Sequence, residues 1–172
     1  ADTVRSLQKK LNLDDSAAHW MAIKSMEVYG AFIASRSSYI DCVDSVEKVF
    51  TVWSRGRLPL IMPFNIIREN DLLPHTWYVT SDAISVFIAS LLEADMVVLT
   101  KLVDGITING TVAAIVRAHE VPLDQDVIDS YTPVLIRRYG IPTAIVNAGN
   151  TKTVSCLLEK IEGCPSYTLI IP

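Results

Sequence analysis

The reading of the fold turns on Leu73-Pro74-His75-Thr76-Trp77-Tyr78-Val79-Thr80-Ser81-Asp82-Ala83 and, one helical pattern later, Met96-Val97-Val98-Leu99-Thr100-Lys101-Leu102-Val103-Asp104-Gly105. Between the two runs, Ile84, Phe87, Ile88, Leu91 and Leu92 recur at helical spacing, which predicts a helix over 81–92. The apolar run 96–100 behind it has the length and β-branched content of a buried strand. Thr80-Ser81-Asp82 opens the helix with side chains suited to its free amides and to its positive end. Asp104-Gly105 closes the strand in a turn, with the glycine expected at a left-handed position. A carboxylate and a polar turn are thus expected together at the carboxyl end of one strand.

Upstream, Val4, Leu7 and Leu11 share one face of a helical pattern, and Asn12-Leu13-Asp14-Asp15-Ser16 is a cap-rich junction where Asp14 or Asp15 accepts from the next helix. That helix is expected over 16–35, with Trp20, Ile23, Met26, Val28 and Ile33 as its apolar surface and Gly30 allowing close approach. A short strand at Tyr39-Ile40 and a helix over 44–53 follow, and Arg55-Gly56-Arg57 stops the latter. Leu58 to Pro63 is an apolar run bounded by prolines, as at a strand end. Downstream, a helix over 126–139 is closed by Gly140, then come a strand over 143–146, a helix over 152–161 and a strand over 167–171. This alternation predicts a single α/β domain over 1–172, a three-layer αβα sandwich with a largely parallel central sheet covered on both faces. Ligands in such sheets bind outside the carboxyl ends of the strands. Those ends are Pro63-Phe64-Asn65, Thr100 to Gly105 and Asn147-Ala148-Gly149.

Composition narrows the function classes. A chain of 172 residues that is 50% hydrophobic and 20% charged has enough apolar surface for a core. Its net charge of −4, with Lys and Arg scattered, lacks the basic stripe of a nucleic-acid surface. No apolar run approaches the roughly 18 residues of a membrane span. Cys42, Cys156 and Cys164 are odd in number and lack CxxC spacing, which suggests neither a disulfide framework nor a thiol metal site, and a cytoplasmic setting is the expectation. His19, His75 and His119 have no HExxH-type spacing, so no protein-bound catalytic metal is expected. The sequence opens at Ala1, directly in a helical pattern, and reads as a fragment or a processed chain.

Each candidate has an ordinary reading beside its chemical one. Thr80-Ser81-Asp82 serves equally as an N-cap with an acidic first turn and as an anion site in which Asp82 orients cations around a transferring phosphoryl group. Thr100 to Gly105 is a strand running into a turn, or a nucleotide-side turn with Lys101 near the phosphates. His75 and Trp77 fit packing as well as binding, and His19 reads as a core histidine.

These residues carry a resemblance. The runs Val4-Arg5-Ser6 to Leu13, Ala18 to Met26, Leu73 to Ala83, Thr100 to Ile106 and Ile145 to Gly149 follow one another as in the amino-acid kinase superfamily, which includes uridylate, acetylglutamate and isopentenyl phosphate kinases. More narrowly, the chain resembles the kinases of methanofuran-type coenzyme biosynthesis that convert a furan-methyl phosphate to its diphosphate, and the His-Thr-Trp then Thr-Ser-Asp run is the specific part. The resemblance implies ATP with Mg²⁺ and a small-molecule phosphate acceptor. It implies that Asp82 organises charge around the transferred phosphoryl. His75, Trp77, Thr80, Ser81 and His19 fall on the acceptor side, and Thr100, Lys101, Asp104, Gly105, Asn147 and Gly149 on the nucleotide side. It also implies a homo-oligomer, a dimer or larger, pairing through the helix over 16–35. Two superfamily elements, a Lys-x-Gly-Gly-Ser strand end and a Gly-Gly-Gly turn, do not occur, so the first strand–loop units of the domain are expected to be missing. Lys101 also stands where many relatives have an acid. A noncatalytic binding or assembly module is the alternative.

Overall fold

The computed structural model describes residues 1–159 and 166–172, and these divide into two compact units, Ala1–Trp77 and Tyr78–Pro172.

In the first unit, helix α1 (Asp2–Leu11) ends at Asn12, whose left-handed backbone (φ 52°, ψ 46°) is one that asparagine tolerates. Helix α2 (Asp15–Ala34) starts at Asp14, whose carboxylate accepts from Ala17 N at 2.7 Å, one of the two caps expected. Strand β1 (Ile40–Val43), helix α3 (Val46–Ser54) and strand β2 (Leu58–Ile61) form a βαβ crossover, with β1 and β2 parallel in the register Ile40↔Leu58 to Val43↔Ile61. Ile23, Val43, Val49, Val52, Ile66 and Ile67 are buried. Residues 63–65, expected at a strand end, are instead the first turn of helix α4 (Pro63–Glu69). Pro63 suits that place because the first helical N–H has no partner in any case. The next amide, Phe64 N, donates to Glu27 Oε1 at 2.9 Å, so a side chain from α2 does the work of a local cap.

The second unit holds the helix–strand pair on which the sequence reading rests. Helix α5 (Ser81–Leu91) is buried along Ala83, Ile84, Val86, Phe87 and Ile88, and strand β3 (Val97–Lys101) follows it. A hairpin, β4 (Thr107–Ile108) and β5 (Thr111–Val112), and strand β6 (Ile115–Arg117) come next. These short elements have too little periodicity to be read from sequence. Helix α6 (Thr132–Tyr139) begins six residues later than expected, because Pro133 and an Asp129-centred turn set its start. Gly140 closes it at φ 69°, as expected. Strand β7 (Thr143–Asn147), helix α7 (Thr151–Leu158) and strand β8 (Thr168–Ile171) complete the unit. The expected extension of α7 to 161 lies outside the described residues.

The four-stranded sheet has the order β3-β7-β8-β6. β3–β7 and β6–β8 are parallel, whereas β7–β8 is antiparallel. The fold is therefore α/β with a largely parallel sheet. Among the described residues no helix is long and apolar enough to cross a membrane. Cys42 is a free thiol, whereas Cys156 is disulfide-bonded, a pairing that the odd count and the spacing did not suggest.

Candidate active site

The parallel pairing of β3 with β7 runs to Lys101↔Asn147, so the turns after both strands emerge side by side. Ala148 N donates to Lys101 O at 2.7 Å and fixes the second turn against the first. Asn147 then acts as the hinge of the cluster. Its Nδ2 donates to Asp104 Oδ1 at 2.9 Å, and its Oδ1 accepts from Gly149 N at 2.9 Å. Lys101, Asp104, Asn147 and Gly149, separated by nearly fifty residues of sequence, form one polar strand end. Thr100 is exposed on β3 beside it.

Gly105 has a reason different from the one expected. Its φ is +155°, not that of a left-handed turn, and a Cβ there would overlap Thr168 Oγ1 and lie 2.9 Å from Val112 Cγ1. Close backbone approach, more than turn geometry, requires glycine. Thr168 Oγ1 accepts from Ile106 N at 2.9 Å and donates to Ala113 O at 2.6 Å, which pins the turn to β8 and to the base of the hairpin.

Asp82 meets this strand end from α5. It is only 7% exposed, and Lys101 Nζ donates to both of its carboxylate oxygens, at 2.8 and 2.7 Å. A carboxylate so buried is stable only with a charge partner, and the ammonium supplies it. The consequence is chemical: a lysine is held at a fixed place at the end of a parallel strand, on the side where such folds bind ligands.

Thr80 and Ser81 have different fates. Thr80 donates its amide (2.9 Å) and its hydroxyl (2.7 Å) to Asp129 Oδ2, and Ala83 N reaches the same oxygen at 3.1 Å. The protein's own carboxylate thus already takes up those groups of the α5 start. Ser81 is exposed. Asp129 was not singled out by the sequence reading. An Asp-x-x-Thr-Pro pattern at a helix start signals its local capping role, but nothing in the sequence signals its reach to Thr80.

In the first unit, His75 lies between Asp71 and Ser16: Nε2 is 2.9 Å from Asp71 Oδ1 and Nδ1 is 2.6 Å from Ser16 Oγ. The His19 ring stacks on it with centroids 4.3 Å apart, and Trp20 meets both rings edge-on. His19 is 7% exposed, and its Nε2 is a buried atom without a hydrogen-bond partner. Burial, reinforced by the His75 ring and opposed by Asp71, lowers its pKa from 6.5 to about 4, so His19 is neutral at pH 7. Trp77 takes another direction from its neighbour His75. Its indole N–H donates to Gln8 Oε1 at 2.7 Å, and Arg5 lies over its ring at 4.5 Å. His119 is exposed beside Glu120. Among the described residues, no group of three or more His, Cys, Asp or Glu side chains is gathered as metal ligands.

No family model matches the chain. It is 28% identical over 162 residues to the (5-(aminomethyl)furan-3-yl)methyl phosphate kinase of Methanocaldococcus jannaschii, an alignment covering 92% of this chain and 74% of that protein. Among solved structures it superposes on UMP kinase from Ureaplasma parvum with a TM-score of 0.71 at 14% identity, over 97% of this chain and 76% of that one. Uridylate kinase from Archaeoglobus fulgidus gives 0.68 at 14% identity over 98% and 78%, and UMP kinase from Bacillus anthracis gives 0.67 at 15% over 96% and 73%. What is shared at such low identity is the course of the backbone through a largely parallel α/β sheet, and by that measure the chain has the amino-acid kinase fold.

Proposed function

We propose that this chain is part of an ATP-dependent small-molecule kinase that phosphorylates a small anionic acceptor, such as a furan-methyl phosphate, to a diphosphate. The observation that carries the reading is the buried Asp82 gripping Lys101 at the joined ends of β3 and β7. Phosphoryl transfer asks little covalent chemistry of a protein and much electrostatic positioning. A lysine locked by a carboxylate is such a positioned charge: Lys101 faces the transferring group, and Asp82 keeps it oriented. Thr100, Asp104, Gly105, Asn147 and Gly149 form the nucleotide-side turns. On the acceptor side of this unit, Thr80 contributes through the helix start that it holds, beside exposed Ser81. Both Asp82 oxygens are taken by Lys101, so Asp104, the exposed carboxylate at that strand end, would be the one to help hold a Mg²⁺ bound together with ATP, which would neutralise phosphate charge there. The name of the Methanocaldococcus relative supports the choice of acceptor class.

The sequence contains no Lys-x-Gly-Gly-Ser run, which favours a second reading: a ligand-binding or assembly module without catalysis. One experiment separates the two. The natural protein, its N-terminal sequence determined, is assayed for transfer from labelled ATP to a furan-methyl phosphate. Transfer is expected, with a loss of about 10²- to 10³-fold in Asp82→Asn and in Lys101→Met, the range for removing one preorganised electrostatic contact. Absence of transfer by the wild type favours the module, and undiminished transfer in both variants removes the assigned roles.

A further inference from the structure

Asp129 makes more hydrogen bonds than a helix cap requires. Its Oδ1 accepts from Tyr131 N (3.1 Å), Thr132 N (2.8 Å) and Thr132 Oγ1 (2.8 Å), which is the local turn that starts α6. Its Oδ2 is spent far away in sequence, on Thr80 N, Thr80 Oγ1 and Ala83 N. One carboxylate therefore accepts from groups at the starts of two helices, with three donors on each oxygen, and its charge lies near the positive ends of both.

The residues it holds on α5 bracket Asp82. Thr80 is the N-cap of α5 and Ala83 its third residue, so the backbone on either side of Asp82 is fixed to α6 through one rigid carboxylate. The Asp82 side chain leaves that clamped turn and meets Lys101 Nζ at 2.7–2.8 Å. The Thr80 hydroxyl, whose ordinary duty is the cap, reaches Asp82 N only at 3.5 Å because it is turned to Asp129. We propose that Asp129 is a positioning residue, which sets the Asp82 carboxylate on Lys101 by clamping the first turn of α5 to the start of α6. It touches neither ATP nor acceptor. The inference rests on the kinase reading for its catalytic consequence, but its geometric content stands apart from that reading.

The test uses the natural protein and two readouts. Asp129→Asn keeps the volume but leaves one side chain oxygen, with an amide facing donors. In the transfer assay, kcat is expected to fall about 10- to 100-fold, the cost of a misplacement near 1 Å, while KM for ATP stays within about two-fold. In parallel, reductive methylation at 20 °C, read by peptide mass spectrometry, reports how tightly Lys101 is held. Lys101 labelling is expected to rise about five-fold, as for a pair weakened by a small part of the total stability, while exposed Lys24 labels as in wild type. Asp82→Asn gives the upper bound. Thr80→Val, which removes a single bond to Asp129, is expected to move both readouts in the same direction, and Thr80→Ser to restore them. This pair serves if Asp129→Asn does not fold. Asp129→Asn with a lowered melting temperature but unchanged Lys101 labelling and kcat overturns the proposal, because the residue is then structural only. Raised Lys101 labelling in a protein whose wild type transfers no phosphoryl group leaves the positioning intact and overturns the kinase reading instead.

Discussion

Replacing Gly105 by alanine puts a methyl group where the chain has no room. The new Cβ overlaps Thr168 Oγ1 and comes to 2.9 Å from Val112 Cγ1 and 3.0 Å from Thr168 Cβ, at a φ of +155° that residues with a side chain seldom adopt. The threonine cannot simply turn away, because its hydroxyl accepts from Ile106 N and donates to Ala113 O. Displacing it loses two hydrogen bonds, one buried and one part-buried, about 1 kcal/mol each, and forces an overpacked contact worth about 1–3 kcal/mol. The smaller entropy of an unfolded alanine returns less than about 1 kcal/mol. The net destabilisation is about 3 kcal/mol, a fall of about 10 °C in Tm for a chain of this size. Urea melts of wild type, Gly105→Ala, Thr168→Ala and the double variant measure it. Thr168→Ala removes the obstructing oxygen, so the cost of Gly105→Ala is expected to drop by about half in that background, a coupling typical of residues in contact. A single-variant cost below about 1 kcal/mol, or strict additivity, refutes the close-approach argument and returns Gly105 to an ordinary turn glycine.

Two further outcomes follow from other parts of the molecule. Neutral, buried His19 has a folded pKa of about 4 against 6.5 when unfolded, so the unfolded chain binds the extra proton and stability falls as pH drops from about 6.5 towards 4. Wild type is expected to lose about 2–3 kcal/mol more than His19→Gln between pH 7 and 4.5, measured by urea melts; equal losses contradict the assignment. On α2, Val28, Tyr29 and Phe32 are 74%, 64% and 57% exposed, an unusual face for a surface helix. If two copies pair there, light scattering finds a dimer in wild type and a monomer in Phe32→Lys, and a monomeric wild type removes that surface from consideration.

The same face shows where sequence reading fails. Trp20, Ile23, Met26, Val28 and Ile33 are expected to supply much of the apolar surface of α2, yet Ile23 is buried while Val28 is exposed. A helix rich in apolar residues on all sides does not say which side packs. Helix α4 was hidden for another reason. Pro63 reads as the end of an apolar strand, and the side chain that caps α4, Glu27, comes from another helix. The disulfide at Cys156 likewise depends on proximity, which spacing does not encode.

The sequence by itself determined the units whose signals are local. A cap at Asp14 or Asp15, the cap at Thr80, the apolar stripe of α5, the strands β3 and β7 and the stop at Gly140 all follow from residues within a few positions of one another, because capping and periodicity act over one or two helical turns. It also singled out Asp82, Lys101, Asp104 and Asn147 as separate candidates. Only the tertiary structure decided how they meet: parallel pairing of β3 with β7 brings Asp104 to Asn147, the buried carboxylate of Asp82 requires the ammonium of Lys101, and the two oxygens of Asp129 join helix starts more than fifty residues apart. Each of these depends on burial. A charged or polar group removed from water must find its partner wherever the fold supplies one, and its distance along the chain carries no record of that choice.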